Sequence, residues 1–334
     1  MQNFQLLRAD NADAAIAEAA LAKTAQQGAE VRFLAGGTTL IDLMKLNVET
    51  PRQVIDISRL PLDKIEATAD GGLRIGAMVR NADLAHDERV QRDYPALSQA
   101  LLSGASAQLR NMATTGGNLL QRTRCLYFRE TDMACNKRHP GSGCAAIGGF
   151  NRNLAILGVS DQCIASNPSD MNVALMALDA TIEIKGVNGE RMVPIADFFL
   201  LPGMTPDKET VMQPGDLITY VTLPAPAKGA RSLYLKLRDR ASYEFALASA
   251  AVVMAVNGGK IDKVSIAMGG VGARPWRNKD VESKLTGQPA HKESFRAAAE
   301  AFLKDAKPQS GNAFKVELAK RCLVHTLDAA SKLA

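Results

Sequence analysis

The sequence predicts a mixed helix-and-sheet protein of two or three domains, and three observations carry that expectation. Glycine-centred turns at Asp70-Gly71-Gly72, Asn188-Gly189 and Asn257-Gly258-Gly259 separate runs of alternating apolar residues, the pattern of antiparallel hairpins. Stretches with helical spacing of apolar residues lie between these runs, and another extends from about Val281 to the end. The 334 residues are enough for more than one hydrophobic core.

Taken in order, Ala12 to Gln27 is alanine-rich, with Asn11 as a candidate N-cap and Gly28 beyond its end, and reads as a helix. Val31 to Ala35 reads as a buried strand running into Gly36-Gly37-Thr38-Thr39, and Leu40 to Leu46 as a helix. A strand follows at Gln53 to Ile57, then the hairpin around Gly71, then helices near Asn81 to His86 and Pro95 to Leu102. Between Arg122 and Cys163 the periodicity fails, and Pro140-Gly141-Ser142-Gly143 and Gly148-Gly149 mark an inserted loop. A helix from Asp170 to Leu178, capped by Ser169 or Asp170, precedes the hairpin at Asn188-Gly189. Strand-like runs at Leu217 to Leu223, Leu233 to Leu237, Ala246 to Val256 and Ile261 to Met268 suggest a small antiparallel sheet, with a domain boundary near Pro224 to Gly229.

Forty basic and 35 acidic residues leave a net charge of +5, with both signs interspersed; this argues for solubility and against a nucleic-acid-binding tail. No apolar run reaches the roughly 20 residues that span a bilayer, and Met1-Gln2-Asn3-Phe4-Gln5 lacks the basic and apolar regions of a signal peptide. The four histidines show no H-E-x-x-H spacing and no serine stands in G-x-S-x-G, so a hydrolase is not indicated.

Four segments carry chemistry. Gly36-Gly37-Thr38-Thr39 and Ala113-Thr114-Thr115-Gly116-Gly117-Asn118 are loops in which glycine lets the backbone approach a phosphate and threonine adds donors. Neither is a G-x-G-x-x-G turn or a P-loop; either one alone reads more readily as a tight turn, and only the two together balance the readings. Cys125, Cys135, Cys144 and Cys163 are spaced C-x9-C-x8-C-x18-C amid arginines and lysines, and the fifth, Cys322, stands far away. That spacing lacks the close pairs of zinc ribbons and ferredoxins, and leaves an iron-sulfur cluster, zinc, disulfides or buried free thiols open. The glycine content argues against burying four free thiols there. Finally, Lys236 to Tyr243 follows a strand and offers either a cation beside a cofactor or a solvated charged turn.

Together these residues resemble one family, the FAD-binding medium subunit of molybdenum hydroxylases. Leu34-Ala35-Gly36-Gly37-Thr38-Thr39-Leu40 with Met44-Lys45 is similar to its first flavin loop, and Ala113 to Asn118 to its second. Asn167-Pro168-Ser169-Asp170 matches its Ser-Asp element, and Met268-Gly269-Gly270-Val271-Gly272-Ala273-Arg274-Pro275 its C-terminal signature. The cysteine segment is an insertion of about forty residues relative to most members, and its spacing is similar to that of the flavin subunit of bacterial periplasmic aldehyde oxidoreductases.

The resemblance implies an α+β flavoprotein of the vanillyl-alcohol-oxidase (PCMH) type and not a Rossmann fold. Residues 1–225 would form a two-lobed FAD-binding domain, with a small lobe to about residue 57 and a cluster insertion at about 122–165, and residues 229–334 a C-terminal sheet-and-helix domain. It assigns FAD binding to Phe33, Leu34, Ala35, Gly36, Gly37, Thr38, Thr39, Leu40, Ala113, Thr114, Gly116, Gly117, Asn118, Asp170, Ile218 and Lys236, and a [4Fe-4S] cluster to Cys125, Cys135, Cys144 and Cys163. No acid-base residue is expected. The partners implied are a large molybdenum-cofactor subunit, a small subunit with two [2Fe-2S] clusters and an external electron acceptor, with aldehydes as the substrate class. The implied compartment is the periplasm, reached with a signal-bearing partner, and the cytoplasm is the alternative. Two other readings stay open: a stand-alone NAD(P)H-dependent flavin reductase of the same fold, and a zinc-stabilised scaffold subunit.

Overall fold

The computed structural model describes all 334 residues. Near the N-terminus three short strands, β1 (Gln5–Arg8), β2 (Val31–Leu34) and β3 (Gln53–Asp56), form a parallel sheet in the order β1-β3-β2. Parallel neighbours need crossovers, and the Ala12–Ala19 and Leu40–Lys45 helices lie in those connections. The first helix is shorter than its alanine content suggests. Thr24 accepts from the Gln26 amide, and the Gln26 side chain donates to the carbonyls of Thr210 and Met212, so side-chain bonds fix residues 24–26 in a loop.

A second sheet is fully antiparallel: β4 (Ile65–Ala67), β5 (Leu73–Gly76), β6 (Thr181–Gly186), β7 (Gly189–Pro194) and β8 (Leu217–Leu223), in the order β4-β5-β8-β6-β7. Two of the three expected hairpins, β4-β5 and β6-β7, lie in this sheet. β8 corrects the expectation that it joins the C-terminal sheet, because it pairs with β5 on one side and β6 on the other.

The third sheet holds β9 (Arg231–Leu237), β10 (Ala248–Asn257), β11 (Lys260–Gly269) and β12 (Trp276–Arg277), in the order β12-β11-β10-β9. The Lys292–Leu303 and Phe314–Ser331 helices bury an apolar stripe and share a hydrophobic core with this sheet. The Pro95–Ser103 and Asp170–Ala177 helices also pack against it. All eight residues of the Asp170–Ala177 helix are buried, between the third sheet and the Pro95–Ser103 and Thr115–Leu119 helices.

Between residues 120 and 169 the chain is irregular apart from one turn of helix at Leu126–Arg129. Helices at Ala107–Met112 and Thr115–Leu119, absent from the sequence reading, bracket the second glycine loop. No helix of the chain is long and apolar enough to cross a membrane.

Candidate functional site: a two-compartment cavity and four thiols

The two glycine loops meet. A Cβ on Gly36 would stand 1.9 Å from the carbonyl oxygen of Met112 and 3.2 Å from Cα of Ala113, so only glycine lets the first loop lie against the second. The amides of Gly36, Gly37, Thr38 and Thr39 donate no hydrogen bond within the chain and are free for a ligand. The second loop differs. Its Thr115 and Gly116 amides donate to the carbonyls of Val79 and Ala77, and the Gly117 amide donates to Thr114 Oγ1. This loop therefore supplies a close approach more than free amides, together with the Asn118 side chain, whose Oδ1 accepts from Ser169 Oγ at 2.7 Å.

Two compartments open on either side of this junction. The first, about 1840 Å³ measured out to its mouth, is lined by Phe33, Ala35, Gly36, Gly37, Leu40, Thr114, Gly116 and Ile218 among others. The second, about 1410 Å³, takes in Ala113, Asn118, Asp170 and Lys236. Thr38, Thr39 and Gly117 line both. Of the residues expected to bind FAD, Leu34 alone lines neither; it packs beneath Gly37, where a Cβ would lie 3.2 Å from its Cδ1. Free amides at a waist between two compartments of mixed apolar and charged lining suit a group with a pyrophosphate in its middle and a ring system at each end.

In the second compartment Arg110, Arg124, Arg129, Lys236 and Arg240 face Asp42, Asp170 and Glu244, an excess of positive charge. Lys236 is no solvated turn residue: its side chain is 3% exposed, and Nζ donates to Asp170 Oδ2 at 2.8 Å and to the Ser103 carbonyl at 3.1 Å. Tyr234, two residues earlier on the same face of β9, donates its hydroxyl to the other Asp170 oxygen. Burial, followed by the Asp170 charge, raises that phenol well above its usual value, so it remains a donor at neutral pH. Ser169 caps the helix by accepting from the Asn172 amide at 3.0 Å, which fixes Asp170 at its first turn.

The inner wall of the first compartment is an ion network that the sequence reading missed. Glu49 pairs with Arg32 at 2.9 Å and with Arg122; Glu209 pairs with Arg122 and with Lys137 Nζ at 3.0 Å. Burial raises the Glu209 pKa, but Arg122 and Lys137 outweigh it and bring the carboxyl down to about 2. No local spacing signals a network whose members lie 73 and 87 residues apart in sequence.

The four clustered cysteines line a small cavity beside the first compartment, together with Tyr127, Phe128 and Ala146. Cys135 and Cys144 face each other across an antiparallel bridge, Cys125 caps the Leu126–Arg129 turn, and Cys163 lies in a tight loop closed on Ser160. Asn136 holds this geometry by donating to the Gln162 carbonyl at 3.1 Å and accepting from the Gly143 amide at 2.8 Å. None of the four forms a disulfide; Cys125, Cys135 and Cys163 are buried and Cys144 is half-buried, so the glycine-rich segment fully buries three of them and not four. Burial, reinforced by the neighbouring thiols, pushes Cys125 up to about 12 and also raises Cys163. The Ala165 amide points at Cys163 Sγ at 3.5 Å, and Arg138 and Lys137 place cations nearby. The four thiols around this cavity are the donors that would hold a thiolate-bound group, whose cation would reverse the burial penalty on Cys125 and Cys163. No three of the chain's His, Cys, Asp or Glu side chains are grouped to hold a metal ion directly.

Residues 2–226 match the family described as FAD binding domain in molybdopterin dehydrogenase, and residues 233–330 the CO dehydrogenase flavoprotein C-terminal domain. The chain is 52% identical over 312 residues to the aldehyde oxidoreductase FAD-binding subunit PaoB of Escherichia coli, covering 93% of this chain and 94% of that protein. It is 28% identical over 315 residues to the carbon monoxide dehydrogenase medium chain of Hydrogenophaga pseudoflava, covering 93% of each. Among solved structures, carbon monoxide dehydrogenase from H. pseudoflava lacking the Mo-pyranopterin moiety of its cofactor superimposes with a TM-score of 0.77 at 26% identity, over 100% of this chain and 99% of that one. The cavity, the two glycine loops and these full-length matches agree, and the chain belongs to the FAD-binding medium subunits of the molybdenum hydroxylase family of oxidoreductases.

Proposed function

We propose that this chain is the FAD- and [4Fe-4S]-binding electron-transfer subunit of a heterotrimeric molybdenum hydroxylase that oxidises aldehydes to carboxylic acids. The observation that carries the reading is the pairing of a two-compartment cavity of flavin shape with an adjacent cavity lined by four free thiols. The similarity to an aldehyde oxidoreductase FAD-binding subunit over almost the whole chain supports the substrate class. Oxidation of an aldehyde with one water gives the acid, two electrons and two protons, and bound FAD supplies the group that accepts those electrons and passes them on.

This chain's part is positional. The free amides of Gly36 to Thr39 and the hydroxyls of Thr38 and Thr39 would hold the pyrophosphate. Asp170 and Lys236 would stand beside the flavin ring, and Ile218 and Phe33 in the first compartment would take the adenine. Tyr234 and Lys236 bind both oxygens of Asp170 and keep its charge in one place. Cys125, Cys135, Cys144 and Cys163 would ligate the cluster, one thiolate to each iron. A large molybdenum-cofactor subunit and a small subunit with two [2Fe-2S] clusters would complete the assembly, exported together to the periplasm on the partner's signal.

Anaerobic addition of an aromatic aldehyde tests the reading. The co-expressed complex should lose its flavin absorption, and the isolated chain should not. An isolated chain that oxidises NAD(P)H would establish the reductase reading instead, and colourless protein carrying zinc would establish the scaffold. Fractionation of the host cell checks the compartment.

A further inference from the structure

Cys163, Ala165 and Lys137 line both the first compartment and the four-thiol cavity, so the cysteine insertion and the flavin site share a wall. Two cations of the insertion build that wall. Arg122 donates to Gln27 and Glu49 of the N-terminal lobe and to Glu209 of the segment before β8. Lys137 donates to the Pro206 carbonyl at 2.8 Å and pairs with Glu209 at 3.0 Å. Their side chains are 10% and 9% exposed. Both carboxylates line the compartment, as do Gln27, Thr210, Met212 and Gln213 beside them.

We infer that the cysteine insertion is a third wall of the adenosine compartment, and that Arg122 and Lys137 are the positioning residues through which it makes the site retain FAD in preference to FMN. The inference rests on the FAD placement proposed above, with the ring beside Asp170 and Lys236 and the adenosine in the other compartment. FMN, which ends at one phosphate, would fill the second compartment and the waist and leave the wall untouched. Arg122 joins the lobe loops at Gln27 and Glu49 to the 199–216 segment, and Lys137 holds that segment from the insertion side. Loosening either would widen the compartment only where the adenosine lies.

The test titrates the deflavinated, co-expressed complex with FAD and with FMN, following quenching of flavin fluorescence. Lys137→Gln should raise the FAD Kd about tenfold, the effect of losing one hydrogen bond to a charged group, and leave the FMN Kd unchanged. Lys137→Arg, which keeps the charge and a donor, should restore most of the preference. Equal weakening of both flavins would overturn the inference by putting the ring against the wall, which would also overturn the FAD placement. Unchanged affinity for both would overturn the inference alone. Should the Lys137→Gln complex fail to assemble, Glu209→Gln, of nearly the same volume, is read by the same two titrations with the same outcomes.

Discussion

Replacing Gly36 with alanine tests whether the two loops close one flavin site. The added Cβ would lie 1.9 Å from the Met112 carbonyl oxygen and 2.8 Å from its carbon, where ordinary contact begins at 3.4 Å. Both obstacles are backbone, so no side-chain rotamer relieves the overlap and the loops must part. Overpacking of this kind costs about 1–3 kcal/mol. Because the loops part where the free amides of Gly36 to Thr39 converge, the cost falls on FAD binding, and the Kd should rise about ten- to a hundredfold. The assay is FAD content per complex after gel filtration, with the Kd from reconstitution of deflavinated protein. Gly28→Ala is the control: Gly28 also has a positive φ, +77°, but open space around the missing Cβ. It should lower stability by about 1 kcal/mol and leave FAD binding alone. Wild-type FAD affinity in Gly36→Ala would refute the close approach as the basis of the site.

Lys236→Met leaves the Asp170 carboxylate buried with Tyr234 as its only side-chain partner, and should cost about 3–5 kcal/mol in denaturant unfolding; Asp170→Asn combined with Lys236→Met should recover part of that loss. Glu209 titrates near 2 in the fold against 4.5 unfolded, so its pairing stabilises the protein above pH 4.5 and is lost as pH falls from there toward 2. That contribution is about 3 kcal/mol, and an acid-unfolding profile of Glu209→Gln should lack it. Lys315 is fully buried, donating to the carbonyls of Leu154 at 2.9 Å and Gly270 at 2.6 Å with no carboxylate partner, and burial brings it down to about 7. The unfolded chain holds that proton up to 10.5, so between pH 7 and 10.5 it binds more protons than the fold and stability should rise with pH. The urea midpoint across this window should show the rise, and Lys315→Met should flatten it.

Hairpin turns, the C-terminal helices and the flavoprotein family were legible because each is written locally, in a glycine pair between alternating runs or in a short motif. Partners were not. The apolar run Leu217–Leu223 reads as a strand from its own residues, but nothing in it says that β5 and β6 are its neighbours. Alanine content extended the first helix past Ala19, where side-chain bonds from Thr24 and Gln26 stop it. At the site, Lys236 stood out as a cation after a strand, but Tyr234, which donates to the same carboxylate, reads from sequence as one more core aromatic. The same applies to Glu49 and Glu209, whose roles come from Arg122, a residue far from both in the chain. Cysteine spacing alone left four chemistries open. The convergence of the thiols depends on the Asn136 side chain tying the 135–144 loop to Gln162, a contact that no spacing rule contains.

The most direct test of the account is a paired determination of iron, acid-labile sulfide and FAD in the anaerobically purified complex and in its Cys135→Ser variant. A [4Fe-4S] cluster in the insertion predicts about four iron and four sulfide fewer per complex in the variant, with the iron of the partner subunit cancelling between the two. Equal iron in both, or zinc replacing it in the unaltered complex, would contradict the cluster assignment, and a complex without FAD would contradict the site on which the whole reading stands.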